Sequence, residues 1–237
     1  MWLPPSNRRF ALLGSRRRAI LSFQAYSAPR PRGLPIMPKT TRTFIAVALP
    51  TASGAKLTRL QALLEPQVPA ARWTRTEPLH LTLAFLGDVH DTDLHKVCKA
   101  VASAAAPFPD FELQLESIGA FPSAGRPRVL WAGLTAEDKS PLFPLQRAIV
   151  KQVTAVGYRP EDARFTPHVT LGRIKSDRRG PQPPDLTAIL EPYQTWSGGT
   201  FSVNEVVTFA STLTPDGPAY APLARAALAG EKNTSSP

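Results

Sequence analysis

Hydrophobic residues recur along the chain with two periods, and together they predict two matching sets of strands and helices. Short apolar runs bounded by Pro or Gly are typical of buried strands, and apolar residues three or four apart are typical of helices. In the first set the pattern predicts a strand over Phe44–Leu49 and an alternating strand over Phe111–Phe121. Two helices are predicted between these strands. The first is capped by Thr51 or Ser53 and has an apolar stripe of Leu57, Leu60, Leu63 and Leu64, and the second is capped by Asp91 or Thr92 and has Leu94, Val97, Cys98 and Val101 inward. The second set comprises a strand over Val129–Leu134, a helix from Leu142 with Leu145, Ile149, Val153 and Val156 that ends at Gly157, a short helix near Asp185–Leu190 and a strand over Phe201–Leu213.

Each set also contains a strand in which a histidine and a threonine alternate with apolar residues. The two motifs are His80-Leu81-Thr82-Leu83 and His168-Val169-Thr170-Leu171. Because successive strand residues point to opposite faces, the histidine and threonine of each motif share one face, while Leu81, Leu83 and Phe85 point into a core, as do Val169 and Leu171. A polar pair on a buried strand is costly unless it has partners or a function. One such motif would most simply be structural, but this one occurs twice.

The residues around the two motifs repeat at matching distances. Phe44 precedes His80 by 36 residues and Val129 precedes His168 by 39, while the following strands begin 31 and 33 residues after the two histidines. Each half therefore reads strand, helix, His-x-Thr strand, helix, strand. The sequence predicts an α+β fold with two lobes, formed by an internal duplication, in which antiparallel sheets are flanked by helices and a central cleft lies on a pseudo-twofold axis.

Charge and composition divide the 237-residue chain unevenly. The net charge is +10, but residues 1–37 contain seven arginines and no acidic residue, so the remainder carries only +3. A mildly basic body suits an anionic substrate better than a broad duplex-binding surface. We expect residues 1–37 to be a disordered basic extension, a targeting segment or the product of a start assigned too far upstream, with Met37 as the natural beginning. Residues 38–228 are predicted to form the folded domain, and residues 229–237 a disordered tail.

The single cysteine, Cys98, excludes an internal disulfide and a cysteine-rich zinc site. No apolar run approaches the length needed to span a membrane. A reducing, cytoplasmic setting fits both observations. Cys98 itself is expected to pack as a small apolar residue within its helix.

Two histidines that face each other across a cleft can act as an acid and a base near neutral pH. One imidazole can take a proton from an attacking water while the other protonates a departing alkoxide, which suits in-line displacement at phosphorus. The hydroxyls of Thr82 and Thr170 can donate hydrogen bonds to the non-bridging phosphate oxygens. This chemistry requires neither a metal nor a cofactor. The residues alone indicate a phosphodiester substrate and do not specify RNA.

The two motifs and their neighbours resemble the bacterial RNA 2′,3′-cyclic phosphodiesterase family, also known as LigT-like 2′-5′ RNA ligases, within the two-histidine phosphoesterases. Further matching stretches, over residues 42–225, are Phe44-Ile45-Ala46, Arg72-Trp73, Phe85-Leu86-Gly87, Gly119-Ala120-Phe121-Pro122 and Arg126-Pro127-Arg128-Val129-Leu130-Trp131. The resemblance implies hydrolysis of a terminal 2′,3′-cyclic phosphate to a 2′-phosphate, with weak reverse ligation in some members. By motif position, His80 would be the proton donor and His168 the proton acceptor. The expected partners are RNA ends bearing a cyclic phosphate, with tRNA fragments as one candidate source, and the protein is expected to be a monomer.

Two arginines are candidate phosphate ligands. Arg173 matches a family arginine, yet strict alternation places it on the face opposite His168, so a twist or strand end must turn it inward. Arg128 is the other candidate, with a solvated charge as the simpler interpretation. The remaining chemistry-bearing residues are interpreted as exposed (His90 and His95), as core (Trp73, Trp131 and Phe85) or as a solvated basic loop at the cleft rim (Lys175–Arg179).

Two other functions remain open at this point. A metal-dependent phosphohydrolase would use His80 and His168 as ligands, although no Asp or Glu lies at motif spacing beside either histidine. A non-catalytic module that binds RNA ends is the second alternative, and the small net charge of the body gives it little support. Activity in the presence of a chelator separates the first alternative, and a single-turnover cleavage assay separates the second.

Overall fold

The computed structural model describes residues 22–23, 39–74, 78–135, 140–161, 164–174, 184–215 and 217–231. The ten strands are β1 (Ser22–Phe23), β2 (Thr40–Ala48), β3 (Ala71–Trp73), β4 (His80–His90), β5 (Phe111–Phe121), β6 (Val129–Thr135), β7 (His168–Ile174), β8 (Ser197–Val203), β9 (Glu205–Thr214) and β10 (Gly217–Ala227). The helices are α1 (Thr51–Leu64), α2 (Leu94–Ala105), α3 (Leu142–Ala155) and the short α4 (Thr187–Leu190), with 3-10 turns at Asp91–Asp93 and Glu191–Tyr193.

All the strand pairs are antiparallel, and the order across the sheet is β1-β10-β9-β2-β4-β7-β6-β5-β8, with β3 added beside β7. The two His-x-Thr strands, β4 and β7, are central and meet through one residue pair, Leu81 with Val169. The strands to either side of them form the two lobes. The predicted fold class is therefore confirmed, including the duplication.

One strand from each half of the sequence, β5 or β9, lies in the lobe of the other half. β5, from the first half, pairs with β6 of the second, and β9, from the second half, pairs with β2 of the first. The predicted strand over 201–213 is wrong in detail, because Asn204 separates β8, which pairs with β5, from β9. The apolar alternation continues through this break, so the pattern does not reveal that the chain changes lobes there.

Three strands were absent from the sequence prediction: the two-residue β1, β3 and β10. β10 contains Pro218 and Pro222, which argue against a strand, and the pairing with β9 is irregular between Pro222 and Ala224. A bulge at a proline accommodates the missing backbone donor. β3 is only three residues long, too short for a recognisable period.

Helices cover one face of the sheet, which we call the packed face, and the other is the open face. The main core lies under the helices and includes Leu57, Leu60 and Leu64 of α1 and Leu145, Ile149 and Val153 of α3. A smaller cluster without helical residues, formed by Phe44, Ala46, Val207 and Phe209, lies on the open face. These residues are buried, so the open face has a small apolar layer of its own, formed by β2 and β9.

The helices differ from prediction at their ends and at one core position. Leu63 is 61% exposed, because α1 turns it away from the sheet. The predicted caps Thr51 and Ser53 lie inside α1, which begins after Pro50 without a side-chain cap. At α2 a 3-10 turn at Asp91–Asp93 replaces the predicted side-chain cap.

Other predicted positions in the helices hold. Cys98 is buried in α2 at 1% exposure, and Gly157 adopts the left-handed φ of +97° that favours glycine at the end of α3. Asp185 accepts a hydrogen bond from the backbone N–H of Thr187 at 2.8 Å, where α4 begins. The carboxylate thus satisfies a backbone donor that the helix leaves free.

A chain that begins at Met37 is expected to fold and to turn over like the full chain. Of the first 37 residues, the structure describes only Ser22 and Phe23, which add two residue pairs to the edge of β10. Losing two edge pairs removes little of the buried surface that stabilises the domain. Thermal unfolding and steady-state turnover of the truncated chain test this expectation. Aggregation or a large loss of activity would contradict it.

Candidate active site

The two motifs meet in a cleft of about 380 Å³ on the open face. His80, Thr82, His168 and Thr170 all line it, as the alternation within β4 and β7 predicts. The Leu81–Val169 pair fixes their arrangement. Counting outward from that pair along antiparallel strands, His80 is level with Thr170, and Thr82 is level with His168. Each histidine therefore has the threonine of the other motif as its cross-strand neighbour.

Both histidines are held by the same local contact. Nδ1 of His80 lies 3.1 Å from the carbonyl oxygen of Pro78, and Nδ1 of His168 lies 2.7 Å from that of Thr166. A carbonyl oxygen only accepts, so in each ring Nδ1 carries the hydrogen and donates it. Nε2 is then left free, as a lone pair on the neutral ring or as an N–H on the charged one. Either imidazole can thus serve as acid or base through Nε2.

Aromatic rings surround His80. The ring of Phe44 lies 4.9 Å from the imidazole, Tyr220 meets it edge-on at 5.1 Å, and Phe209 is 6.1 Å away. Burial among these rings lowers the pKa of His80, the carbonyl of Pro78 opposes that change, and the charge of His168 lowers the pKa further. A neighbouring histidine perturbs His80 because the two rings share one cleft.

His168 has a different environment. Phe121 contacts it edge-on at 4.9 Å with an interplanar angle of 85°. Burial lowers the pKa of His168, the carbonyl of Thr166 raises it, and the positive charge of Arg173 lowers it. The guanidinium of Arg173 therefore favours the neutral form of His168, which is the form that can accept a proton.

A β-bulge follows the threonine of both motifs. The register slips at Leu83 in β4 and at Leu171 in β7, where one extra residue faces a single partner. The bulge reverses the alternation beyond it, so Phe85 and Arg173, each five residues after its histidine, join the cleft lining. The prediction that Phe85 points into the core is wrong for this reason. For Arg173 the bulge supplies the inward turn that strict alternation denied.

Three guanidinium groups concentrate positive charge at the cleft. Arg173 is paired with Arg72 across β7 and β3, and both line the cleft with Arg42. Arg72 donates to the carbonyl oxygen of Pro215 at 3.1 Å, and Arg42 stacks over the ring of Phe85 at 4.8 Å. No acidic side chain is among the described residues of this lining. The charge distribution suits an anionic ligand.

Of the remaining candidates, Trp73 also lines the cleft. Arg128 is exposed and does not line the cleft, although its backbone pairs with Phe121 and Ile174. His90 and His95 are exposed, as predicted. Trp73 is buried, as predicted, whereas Trp131 is only half-buried and packs against Phe121. The predicted basic loop over Lys175–Arg179 lies outside the described residues.

Sequence reasoning missed four side chains that shape the cleft. They are Arg42, Arg72, Phe44 and Tyr220. Phe44 and Arg72 belong to stretches that match the family, but nothing in their local pattern distinguishes a ligand contact from core or surface. Tyr220 lies in β10, which the prolines concealed.

Within the part of the chain that the structure describes, no three His, Cys, Asp or Glu side chains are grouped closely enough to hold a metal ion. Among the same residues, no helix has the length and apolar character needed to cross a membrane.

The cleft combines two imidazoles, two hydroxyls and three guanidinium groups on a duplicated sheet. This arrangement indicates a phosphoesterase. Comparison with known families agrees: a model described as LigT like Phosphoesterase matches residues 47–131 and 133–220, and the chain belongs to this family. The two matched segments correspond to the two halves of the duplication. The predicted enzyme class, a hydrolase of phosphodiesters, is confirmed.

Individual relatives extend the comparison. The chain is 31% identical over 179 residues to an RNA 2′,3′-cyclic phosphodiesterase of Methanothermobacter thermautotrophicus, an alignment that covers 76% of this chain and 94% of the relative. It is 33% identical over 195 residues to the protein of that name from Thermus thermophilus, an alignment that covers 80% of this chain and 91% of the relative. The solved structure of E. coli LigT complexed with 3′-AMP superimposes with a TM-score of 0.62 at 27% identity. The superposition covers 80% of this chain and 99% of the E. coli chain. Relatives occur in archaea as well as bacteria, so the narrower bacterial family of the sequence prediction is not distinguished.

Proposed function

We propose that this protein hydrolyses the 2′,3′-cyclic phosphate at the end of an RNA chain to a 2′-phosphomonoester. The observation that carries the proposal is the pair of imidazoles in one cleft, each with Nδ1 engaged by a carbonyl and Nε2 free. The relatives named RNA 2′,3′-cyclic phosphodiesterase support the choice of substrate. The cleft volume of about 380 Å³ is within the range of small-molecule sites.

In the proposed step, His168 takes a proton from water as the water oxygen bonds to phosphorus. The bond from phosphorus to the ribose O3′ breaks, and His80 gives its Nε2 proton to that oxygen. The phosphate remains on O2′, and the two histidines have exchanged protonation states. Proton transfer through solvent then restores the starting pair.

The different surroundings of the histidines support this division of roles. Arg173 favours a neutral His168, as a base requires. Burial among aromatic rings lowers the pKa of His80, so its charged form, which an acid requires, depends on the negative charge of the bound substrate phosphate. A ribose 5′-hydroxyl can replace water as the nucleophile: His168 takes its proton, O5′ bonds to phosphorus, and His80 protonates the departing O3′. Weak 2′-5′ ligation of RNA ends therefore belongs to the proposal.

Product analysis tests the proposed function directly. A 2′,3′-cyclic nucleotide and a short RNA with a cyclic phosphate end are incubated with enzyme in EDTA, and phosphorus NMR follows the products. We expect a 2′-phosphomonoester from both, at an undiminished rate. A 3′-phosphate product would overturn the assigned bond cleavage. Activity that chelation abolishes and added metal restores would favour the metal-dependent alternative, and binding without turnover would favour the non-catalytic module.

The rate is expected to depend on pH as a bell whose maximum in kcat/KM lies below pH 6.5. Protonation of the base removes activity on the acid side, and deprotonation of the acid removes it on the alkaline side. Both histidine pKa values are lowered from the ordinary value, about 6.5, so both limbs move to lower pH, and the two limbs belong to the coupled pair. Initial rates from pH 4 to 9 measure the profile. A flat profile from about pH 5 to 9 would contradict the acid-base assignment.

Replacing either threonine by valine is expected to lower kcat by roughly 10- to 100-fold, since each change removes one donor to the charged phosphate. Proton transfer by the histidines stays intact, so the effect is smaller than the loss of a histidine. Thr82→Val and Thr170→Val are compared with Thr212→Val, an exposed strand position outside the cleft lining. Equal rates in all three variants would remove the hydroxyls from the mechanism.

A further inference from the structure

A second concave surface adjoins the catalytic cleft, and we call it the basic groove. Its volume is about 1000 Å³. Its floor is Leu83 and Ala84 of β4, and one wall is a face of α3. The other wall includes residues 159–161 and 164–166. The groove and the cleft share Thr82, Phe85, His168, Thr170 and Arg173. A ligand that lies in the groove therefore reaches the reacting groups.

The groove is strongly cationic. Arg147, Lys151, Arg159, Arg164 and Arg173 line it, against a single carboxylate, Glu161, among the described lining residues. All five cations are exposed. The described part of the chain offers none of them an ion-pair partner within 4.0 Å. Unpaired cations along an open surface attract a polyanion.

Two of the cations, Arg147 and Lys151, lie on α3. Arg147, Lys151 and Thr154 follow one another at helical spacing on a single face, while Leu145, Ile149 and Val153 form the buried face. The amide of Gln146 donates to the carbonyl oxygen of Leu83 at 3.3 Å, which links this wall to the floor. The charged wall is therefore part of the folded domain, with its cations in a row beside the catalytic strand.

The cleft and the groove differ in chemistry. In the cleft, the rings of Phe44 and Tyr220 pack against His80, and Arg42 and Arg72 complete the lining near them. The groove offers cations and the half-buried ring of Phe165 but no comparable cluster of aromatic rings. The catalytic centre thus has an aromatic side and a cationic side, and an RNA end has one reacting nucleotide followed by a row of phosphates.

We infer that the basic groove binds the backbone phosphates of the RNA chain on the 5′ side of the reacting nucleotide. This inference rests on the proposed function, and it adds where the rest of the RNA chain is bound and that these contacts favour an oligonucleotide over a mononucleotide. Contacts to phosphates carry no sequence information, so the groove accepts RNA of any sequence. The cations on α3 strengthen binding by releasing counterions from the strand.

The test compares two variants of equal net charge. The groove variant carries Arg147→Gln and Lys151→Gln, and the control carries Arg59→Gln and Lys99→Gln, exposed helical positions outside cleft and groove. Each enzyme is assayed on a cyclic-phosphate-ended octanucleotide and on a 2′,3′-cyclic mononucleotide. We expect the ratio of the two kcat/KM values to fall roughly 10-fold in the groove variant and to stay at the wild-type value in the control.

Binding is measured separately by fluorescence anisotropy with a 2′-phosphate-ended octanucleotide at several salt concentrations. Each cation that contacts a phosphate contributes about 0.7 to the slope of log K against log salt for a single strand, so the groove variant should lose about 1.4. An unchanged ratio and slope in the groove variant would overturn the inference, as would equal losses in the control. If the wild type hydrolyses neither substrate, the proposed function fails, and the salt slopes still decide whether the groove binds RNA.

Discussion

Alanine at His80 or at His168 is expected to lower kcat for a cyclic phosphate by about 10² to 10⁴, the usual worth of a positioned acid or base. The double variant should be little slower than either single variant, because a histidine that has lost its partner no longer completes a proton transfer cycle. KM should change much less, since Thr82, Thr170 and Arg173 still contact the phosphate in the proposed complex. Steady-state kinetics of the three variants give these ratios.

His90→Ala is the matched control for these variants. His90 is exposed and ends β4, the strand that begins at His80. Its backbone N–H, which alanine retains, donates a hydrogen bond to the hydroxyl of Tyr158. Its rate should equal that of the wild type. Near-normal activity in either His80→Ala or His168→Ala would remove that residue from the site, and additive losses in the double variant would mean that the two histidines act independently.

The second large effect is the selective rescue of His80→Ala by a better leaving group. A nitrophenolate needs no proton as it departs, so an aryl phosphodiester bypasses the acid and recovers most of the 10² to 10⁴ that His80→Ala loses. The same substrate still needs an activated water, so His168→Ala stays slow. Rates on aryl and alkyl phosphodiesters are compared for wild type and both variants.

The outcome separates the site from the roles within it. Rescue of His168→Ala instead of His80→Ala would exchange the two roles. Equal rescue of both would remove the role assignment and leave the site in place. Arg173→Gln provides an independent check: losing the guanidinium removes the charge that lowers the pKa of His168, so the acid limb of the pH profile should move to higher pH.

The His-x-Thr strands could be predicted from sequence because their signal is local. Alternation places His80 and Thr82 on one face, and the repetition of the motif with matching neighbours indicates a duplication and a shared cleft. The helices of both halves were found for the same reason, since each buries a stripe of leucine, isoleucine or valine at helical spacing. Features that depend only on neighbouring residues can therefore be predicted from the sequence.

The remainder of the cleft depends on pairing between distant strands. The bulges at Leu83 and Leu171 are properties of a strand against its neighbour, and nothing in the alternation of β4 or β7 marks them. They decide that Phe85 and Arg173 face the cleft. The position of Tyr220 in the cleft likewise depends on the pairing of β10 with β9, and the division of β8 from β9 depends on their pairing with different strands, β5 and β2. The basic groove combines α3 with a segment that has no periodic pattern at all.

The exchange of β5 and β9 bears on how such a protein could have arisen. In a single copy of the repeat, β2 would keep β4 on one side but lack the strand on its other side, and β5 would lack both of its neighbours. Unpaired sheet edges favour association with a second copy. Two identical chains that exchanged these strands would place one histidine from each chain at the dimer axis. Symmetry would have kept those two histidines alike. A single chain is free of that constraint, and aromatic rings surround one histidine while an arginine accompanies the other.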